Sequence, residues 1–173
     1  MLEELFTFTK VKNESYVLEL SHCCINRMLK RVVFSYYEEW QKKEIVPNIQ
    51  IAEEPIYMDG NVQALQRVFQ NIIKNALDHG GRKMEIVLYS DKENVYLNFG
   101  NWIQHPEEIE VEKVFERFYK ADLARSKNST GLGLVITKEL VNKMHGTIQA
   151  RIERTMFYIE ISFPKEKEGI KIS

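Results

Sequence analysis

Two stretches of alternating apolar and polar residues constrain the fold of this chain most. In the first stretch a polar turn at 90–94 separates two alternating segments, and the second stretch also contains two such segments. Side chains of a strand point to opposite faces in turn, so the pattern predicts two β-hairpins that each bury one face. The apolar members are Met84, Ile86, Leu88, Val95, Leu97 and Phe99, and then Ile148, Ala150, Ile152, Phe157, Ile159, Ile161 and Phe163.

Helical periodicity occupies three other regions, in which apolar residues recur every three or four positions. Asp59 or Asn61 can cap the second region, because a short polar side chain accepts hydrogen bonds from the free amides of the first turn. The predicted helices cover 15 to about 43, 61–78 and about 132–146, with a short helix around 111–118 and short strands at 49–51 and 56–58.

These elements predict an α/β two-layer sandwich, in which a mainly antiparallel sheet of about five or six strands carries about three helices on one face. The chain has 173 residues, 44% of them hydrophobic, so it can bury a full core as one domain. A formal net charge of -1 argues against nucleic-acid binding. Cys23 and Cys24 are adjacent, which fits a reducing cytosol better than a disulfide. No apolar run approaches the roughly 20 residues of a membrane span.

A glycine-containing loop opens the third predicted helix. It consists of Thr130, Gly131, Leu132, Gly133 and Leu134. Glycines two positions apart let the backbone approach a ligand closely, and the free amides of a helix N-terminus attract anions such as phosphate. On its own the same pattern also fits a flexible connection to a capped helix, so the loop needs support from elsewhere in the chain.

Two asparagines provide that support. Asn71 and Asn75 are four residues apart, which places them about 40° apart around the second helix, at the edge of its apolar stripe. A carboxamide oxygen is a hard ligand suited to Mg²⁺, which takes further oxygens from water and from the phosphates of ATP. Taken alone, the two amides are better described as surface or capping residues, and they gain meaning only from the glycine loop.

Three segments, in the same order, resemble the ATP-binding domain of sensor histidine kinases. The N box of that family is similar to Gln70-Asn71-Ile72-Ile73-Lys74-Asn75-Ala76, its F box to Phe115-Glu116-Arg117-Phe118-Tyr119-Lys120-Ala121-Asp122, and its second glycine box to Thr130-Gly131-Leu132-Gly133-Leu134. A lid-like segment separates the last two boxes, and the likeness covers about residues 15–164. It implies the ATP-binding α/β sandwich shared by gyrase, histidine kinases and mismatch-repair ATPases.

The resemblance assigns roles to individual residues. It implies that Asn75 binds Mg²⁺, that Asn71 lies beside the phosphates and takes part in catalysis, and that His79 lies against adenine. The other nucleotide-binding residues that it implies are Asn101, Lys120, Arg125, Thr130, Gly131, Leu132, Gly133 and Leu134, with Arg117 and Lys120 as catalytic cations. Alternatives stay open: a helix-end role for His79, a solvated basic face for the cations, and simple helix packing for Phe115 and Phe118.

The first glycine box departs from the family pattern. Family spacing places Asn101 where an adenine-reading aspartate is expected, and Asn101-Trp102-Ile103-Gln104-His105 replaces the usual Asp-x-Gly-x-Gly. An asparagine oxygen still accepts a hydrogen bond from the adenine amino group, but without the charge of a carboxylate. We therefore expect weaker or differently arranged adenine binding. Asp78 also occupies a place where many members carry a base.

No histidine has the sequence context of a phosphate acceptor, so the chain resembles an isolated catalytic domain. Residues 1–10 are then the stub of a second dimerisation helix, residues 11–164 the catalytic domain and residues 165–173 a tail. Gyrase-like members carry a glutamate base one turn before the Mg²⁺ ligand. Asn71 stands there instead, and because it cannot take a proton from water, phosphoryl transfer is favoured over hydrolysis.

The resemblance implies an enzyme, a protein-histidine kinase that binds Mg·ATP and phosphorylates a dimerisation domain outside this chain. The implied partners are that domain and a response regulator. The implied location is cytoplasmic, within a parent protein anchored in the membrane, and the isolated domain is expected to be monomeric. Two alternatives remain: a pseudokinase docking module that binds no nucleotide, and a sigma-factor-binding serine kinase of the same fold.

Overall fold

A five-stranded mixed sheet forms one layer of the molecule, and the computed structural model describes residues 2–120 and 130–165. The strand order is β2-β4-β5-β7-β6, in which β2 and β4 are parallel and the other neighbours are antiparallel. Strands β1 and β3 pair separately as a small antiparallel sheet. The strands are β1 (Ser21–Cys24), β2 (Val46–Ile51), β3 (Tyr57–Gly60), β4 (Lys83–Ser90), β5 (Asn94–Trp102), β6 (Thr147–Glu153) and β7 (Met156–Pro164).

Five helices are described, rather than about three, and they pack beside the sheet and one another. Helix α4 contacts both α2 and α5, and α1 contacts α5. The helices are α1 (Leu2–Lys12), α2 (Ile25–Ser35), α3 (Tyr37–Lys42), α4 (Val62–His79) and α5 (Gly133–Lys143). Within residues 2–120 and 130–165, no helix has both the length and the apolar character needed to cross a membrane.

The core lies between the helices and one face of the sheet, where both predicted hairpins are confirmed. In β4 and β5, Ile86 pairs with Phe99 and Leu88 with Leu97, so the alternating residues share one buried face. The ring of Phe69 on α4 lies 6.1 Å from that of Phe99. The predicted two-layer α/β class is therefore confirmed, with the sheet holding five strands.

The predicted helix over 15–43 is confirmed only in its later part, where α2 and α3 lie; its first ten residues are not helical and include β1. The side chain of Asn26 ties the start of α2 to a distant loop: Nδ2 donates to Ala52 O at 2.6 Å, and Oδ1 accepts from Ile56 N at 2.7 Å. Val17, an apolar residue within the predicted span, is 79% exposed. The apolar spacing alone could not reveal β1, because the strand that pairs with it, β3, lies far away in the chain.

The short helix predicted around 111–118 is also wrong. A 3-10 turn covers only Val111–Lys113, and Phe118 adopts a left-handed φ of 60° that no α-helix continues through. Phe118 N donates instead to Gly131 O at 3.1 Å. The conformation at Phe118 is therefore set by contact with the glycine loop and not by a local helical repeat.

The N-terminal helix passes the predicted boundary at residue 10. Helix α1 ends at Lys12, and its Phe8 and Val11 are buried in the core. Lys12 Nζ forms a 2.8 Å ion pair with Glu139 of α5. At the other terminus, Lys165 N donates to Glu93 O at 2.7 Å, and the rest of the predicted tail lies outside the described residues.

Candidate functional site

The asparagine pair of α4 lies beside α5, the helix that the glycine loop opens. Asn61 begins α4 by accepting a hydrogen bond from Ala64 N at 2.9 Å. Ten residues later, Asn71 Nδ2 donates to Gly133 O at 3.1 Å. Asn75 is half-buried one turn further on, and its side chain has no hydrogen bond within 2–120 and 130–165. The fold thus brings the predicted metal ligand and the glycine loop to neighbouring elements.

Thr137 is a member of this junction that sequence reasoning missed. Its side chain is fully buried, and its hydroxyl donates to Gly133 O at 2.8 Å while accepting from Asn71 Nδ2 at 3.3 Å. The four-residue spacing from Gly133 to Thr137 is a visible helical signal. The pairing with Asn71 spans 66 positions, so no local pattern reveals it.

The two glycines of the loop have different surroundings. Gly131 has a left-handed φ of 69°, and a Cβ added there would lie 2.9 Å from the Cα of Phe118. A Cβ added to Gly133, the first residue of α5, would meet no atom within 4 Å. Gly131 is therefore needed for the shape of the protein, whereas Gly133 leaves open space at a helix N-terminus, where anions are favoured.

The remaining residues of the loop hold it in place. Leu132 is only 2% exposed, and its backbone N–H donates to Thr130 Oγ1 at 3.3 Å. The Thr130 hydroxyl also donates to the carboxylate of Glu4 on α1. Leu134 is half-buried against the core. The structure therefore places Leu132 and Leu134 in packing roles, and it gives Thr130 a partner on the N-terminal helix.

Asn101 lies beneath the C-terminal end of α4. It is 6% exposed on β5, and its Nδ2 donates to Trp102 O at 3.3 Å. A Cβ added to Gly80, just after α4, would lie 3.0 Å from that same nitrogen. His79 ends α4 and is exposed. The predicted adenine-side residues thus converge on one end of the helix, and Asn101 is held close to the backbone.

The aromatic ring of Trp102, the residue after Asn101, packs against Gly81. A Cβ added to Gly81 would lie 2.2 Å from the Trp102 ring, and Gly81 N donates to Trp102 O at 2.9 Å. Further along, His105 Nδ1 lies 3.2 Å from Glu107 Oε1. The pKa of Glu107 is lowered, mainly because its carboxylate accepts a hydrogen bond from the backbone N–H of Glu107 itself, and to a lesser extent by the hydrogen bond with His105. This segment therefore has packed and hydrogen-bonded side chains where the family pattern has a first glycine box.

Of the predicted cations, Arg117 is the one whose contact the structure describes, and it turns towards α1. The guanidinium of Arg117 lies 5.6 Å from the ring centre of Phe8 on α1. Lys120 is half-buried, and Arg125 lies outside the described residues. Phe115 packs against the core, whereas Phe118 is 63% exposed. Phe115 therefore packs against the core without belonging to a helix, and the helix-packing alternative fails for Phe118.

A cavity of about 990 Å³ separates this F-box segment from α1 and α5. Phe115, Glu116 and Arg117 line one side, and α1 and α5 supply most of the rest. Lys138 Nζ on α5 lies 5.6 Å from the centre of the Phe115 ring. None of Asn71, Asn75 and Gly133 lines this cavity. Arg117 therefore faces a space distinct from the asparagine and glycine junction.

The donor set at the junction fits a magnesium nucleotide. Asn75 offers one carboxamide oxygen, and Gly133 offers open space at the start of α5. Among the described residues, the one group of three His, Cys, Asp or Glu side chains close enough to share a cation is His105, Glu107 and Glu108, which lies outside this junction. Mg²⁺ bound through a single protein oxygen takes its other ligands from phosphate and water, as that ion commonly does.

Comparison with known proteins gives matches to ATP-binding domains and to sensor histidine kinases. Residues 60–167 match the model of the family described as histidine kinase-, DNA gyrase B- and HSP90-like ATPase. A curated relative, sensor histidine kinase YcbM of Bacillus subtilis (strain 168), is 32% identical over 168 residues. That alignment covers 93% of this chain and 54% of YcbM, so the chain spans about half the length of that relative.

Solved structures share the fold. The catalytic domain of histidine kinase ThkA superimposes with a TM-score of 0.74 at 22% identity, covering 86% of this chain and 99% of that one. Full-length ShkA, solved in complex with AMPPNP, gives a TM-score of 0.80 at 17% identity, covering 97% of this chain and 36% of that one. At these identities the likeness shows the fold alone.

Proposed function

The chain belongs to the histidine kinase-, DNA gyrase B- and HSP90-like ATPase family, and we propose that it is the ATP-binding catalytic domain of a two-component sensor histidine kinase. The observation that carries the proposal is the hydrogen bond from Asn71 Nδ2 to Gly133 O, 3.1 Å long. It joins the helix that bears Asn75 to an open helix N-terminus. The sensor kinase name of YcbM favours this function over the serine kinase alternative.

In this proposal, Asn75 is the direct protein ligand of Mg²⁺. When bound, the ion neutralises part of the charge that develops on the phosphoryl group during transfer. The free amides at the start of α5 hold the phosphate oxygens, and Asn71 fixes the position of that helix end. Lys120 and Arg125 supply further positive charge. Arg117 does so only if it leaves the ring of Phe8.

The acceptor is a histidine of a dimerisation domain outside this chain, and the phosphoryl group then passes to a response regulator. The domain is cytoplasmic and monomeric in isolation, and its parent is anchored in the membrane. Because Asn71 cannot take a proton from water, background ATP hydrolysis is slow. The catalytic contribution of this domain is to position the nucleotide and to stabilise charge.

Two measurements test the proposal. Calorimetry should show Mg²⁺-dependent binding of ATP and ADP by the chain. Incubation with radiolabelled ATP should label no histidine of this chain, whereas the parent's dimerisation domain, added as a separate protein, should become labelled slowly because the tether is missing. Stable phosphorylation of His22, His79, His105 or His145, or rapid hydrolysis without a partner, contradicts the assignment.

The burial of Asn101 favours one alternative, a docking module that binds no nucleotide. Its side-chain nitrogen already donates to Trp102 O, and the following segment is packed rather than glycine-rich. Calorimetry separates the two functions, because the docking module shows no heat of binding with ATP at any Mg²⁺ concentration.

A further inference from the structure

The main sheet has an open edge at β2. This strand pairs only with β4 among the described strands. Just after it, Ala52 N donates to Leu88 O on β4 at 3.0 Å. Backbone groups of a strand face its two sides in turn, so Ile49 and Ile51 direct their N–H and C=O groups away from β4. Pro47 faces the same outer side and has no N–H to offer there.

An apolar groove of about 390 Å³ runs beside this edge, between β2 and α2. It is lined by Lys30, Val33, Phe34, Ile49 and Ile51. Phe34 is 80% exposed and Ile49 is 38% exposed, so the groove is open to a partner. Its volume lies near the lower end of the roughly 300–1,000 Å³ typical of ligand pockets, which suits the apolar side chains of a short peptide.

The helix beside the groove is basic. Arg27, Lys30 and Arg31 are all exposed on α2, which contains no acidic residue. Within 2–120 and 130–165, none of the three forms an ion pair. The β2 edge, the apolar groove and the positive charge of α2 therefore lie together on one side of the molecule.

We propose that this edge binds an extended, acidic segment of another protein. The segment adds as a strand beside Ile49 and Ile51, places an apolar side chain in the groove and sets carboxylates against the cations of α2. A second copy of the chain is a poorer occupant, because β2 pairing with β2 brings two basic helices together. The site lies on β2 and α2, whereas the proposed nucleotide residues lie on α4, α5 and β5, so it does not depend on the proposed function.

A peptide of the composition Asp-Glu-Val-Glu-Ile-Glu-Val-Asp-Glu, labelled at its N-terminus, is the probe. Fluorescence anisotropy should show saturable binding with a dissociation constant of roughly 1 mM or tighter. Replacing its acidic residues with lysine tests charge, and replacing its central isoleucine with proline tests strand formation. Both changes should weaken binding about tenfold or more, since each removes one of the two recognition modes.

Variants of the protein locate the site. The double charge reversal Lys30→Glu with Arg31→Glu should weaken binding about tenfold or more, whereas Lys92→Glu with Arg154→Glu makes the same change in net charge elsewhere and should change it less than about twofold. Ile49→Pro removes an outward N–H as well as the side chain, and Ile49→Ala removes only the side chain. The proline variant should bind more weakly than the alanine variant, with native circular dichroism and unchanged ATP binding in both.

Several results overturn the proposal. They are the absence of saturable binding by the acidic peptide, equal binding of the acidic and lysine peptides, and equal binding by both double variants. A dimer in analytical ultracentrifugation that Ile49→Pro abolishes assigns the edge to a second copy instead. Binding to phosphatidylserine vesicles that Lys30→Glu with Arg31→Glu abolishes, without peptide binding, assigns it to a membrane surface.

Discussion

The two ends of the proposed nucleotide site are built in contrasting ways. At the glycine loop, Gly133 leaves open space and Asn71 fixes the neighbouring helix end. At the end of α4, Asn101 is buried and the Trp102 ring packs against Gly81. One end thus keeps free backbone and carboxamide groups, whereas the other is filled by side chains.

This difference separates two tasks of nucleotide recognition. The open end suits phosphate and metal, whose charges make strong contacts with amides and a carboxamide oxygen. The filled end must recognise the base with a neutral side chain that already has a backbone partner. We therefore expect phosphate and Mg²⁺ to supply most of the affinity, and the base to supply little of the selectivity.

The largest expected effect tests the open end. Asn75→Ala removes the proposed metal ligand, and contacts to charged groups are worth roughly 1.5–3 kcal/mol, so Mg·ATP affinity should fall by about ten- to a hundredfold. Asn142→Ala is a matched control, because Asn142 is an exposed asparagine on α5. Calorimetry measures both variants. Unchanged affinity of Asn75→Ala with native circular dichroism contradicts the metal assignment.

Gly131 provides the second test, this time of stability. Its left-handed φ of 69° disfavours any side chain, and an added Cβ would lie 2.9 Å from the Cα of Phe118. Gly131→Ala should lower the free energy of unfolding by about 1–2 kcal/mol or more. Urea denaturation measures the loss. Wild-type stability would mean that the loop changes shape readily, and the proposed packing role of Gly131 would be wrong.

Gly133→Ala should have the opposite effect on stability, although the two glycines are only two positions apart. An added Cβ meets no protein atom within 4 Å, and alanine within a helix is favoured over glycine by roughly 0.5–1 kcal/mol. The variant should therefore be equally stable or slightly more stable, yet bind ATP more weakly because the methyl group enters the phosphate space. Unchanged ATP affinity would show that the open space is not the phosphate site.

Local patterns predicted the elements whose partners lie nearby. The apolar stripe of α4 and the alternation of β4 and β5 follow from helical and strand periods, and all three elements appear as expected. The start of the predicted 15–43 helix is wrong because β1 is defined by its pairing with β3, and because distant hydrogen bonds of Asn26 fix where α2 begins. Backbone hydrogen bonds between remote segments leave no periodic trace in a sequence.

The candidate site shows the same division. The sequence and its family resemblance predicted Asn71, Asn75 and the glycine loop as site residues, and the structure places Asn71 against Gly133. The sequence did not point to Thr137, whose hydroxyl completes that junction. The direction of Arg117 towards Phe8 was also not predicted, since it depends on the packing of α1, which has no sequence signal near the F box.

The smallest expected effect concerns selectivity at the filled end. The Asn101 carboxamide carries both an acceptor oxygen and a donor nitrogen, so a rotation about its terminal bond lets it face either the amino group of adenine or the carbonyl oxygen of guanine. An aspartate could accept only from adenine. The wild-type domain should therefore bind ATP and GTP within about threefold of each other, a difference well under the roughly 1.4 kcal/mol that corresponds to tenfold.

Asn101→Asp turns that expectation into a comparison within one protein. The carboxylate accepts more strongly from the adenine amino group and repels the guanine carbonyl oxygen, so the ratio of ATP to GTP affinity should rise several-fold. The Asn101→Asp variant should be slightly less stable than the wild type, because a charged oxygen replaces the Asn101 nitrogen that donates to Trp102 O. Competition binding with both nucleotides measures the ratio, and Asn98→Asp on the same strand controls for added charge. If wild-type protein already prefers ATP by far more than tenfold, a group other than Asn101 reads the base, and the contrast between the two ends fails on the adenine side.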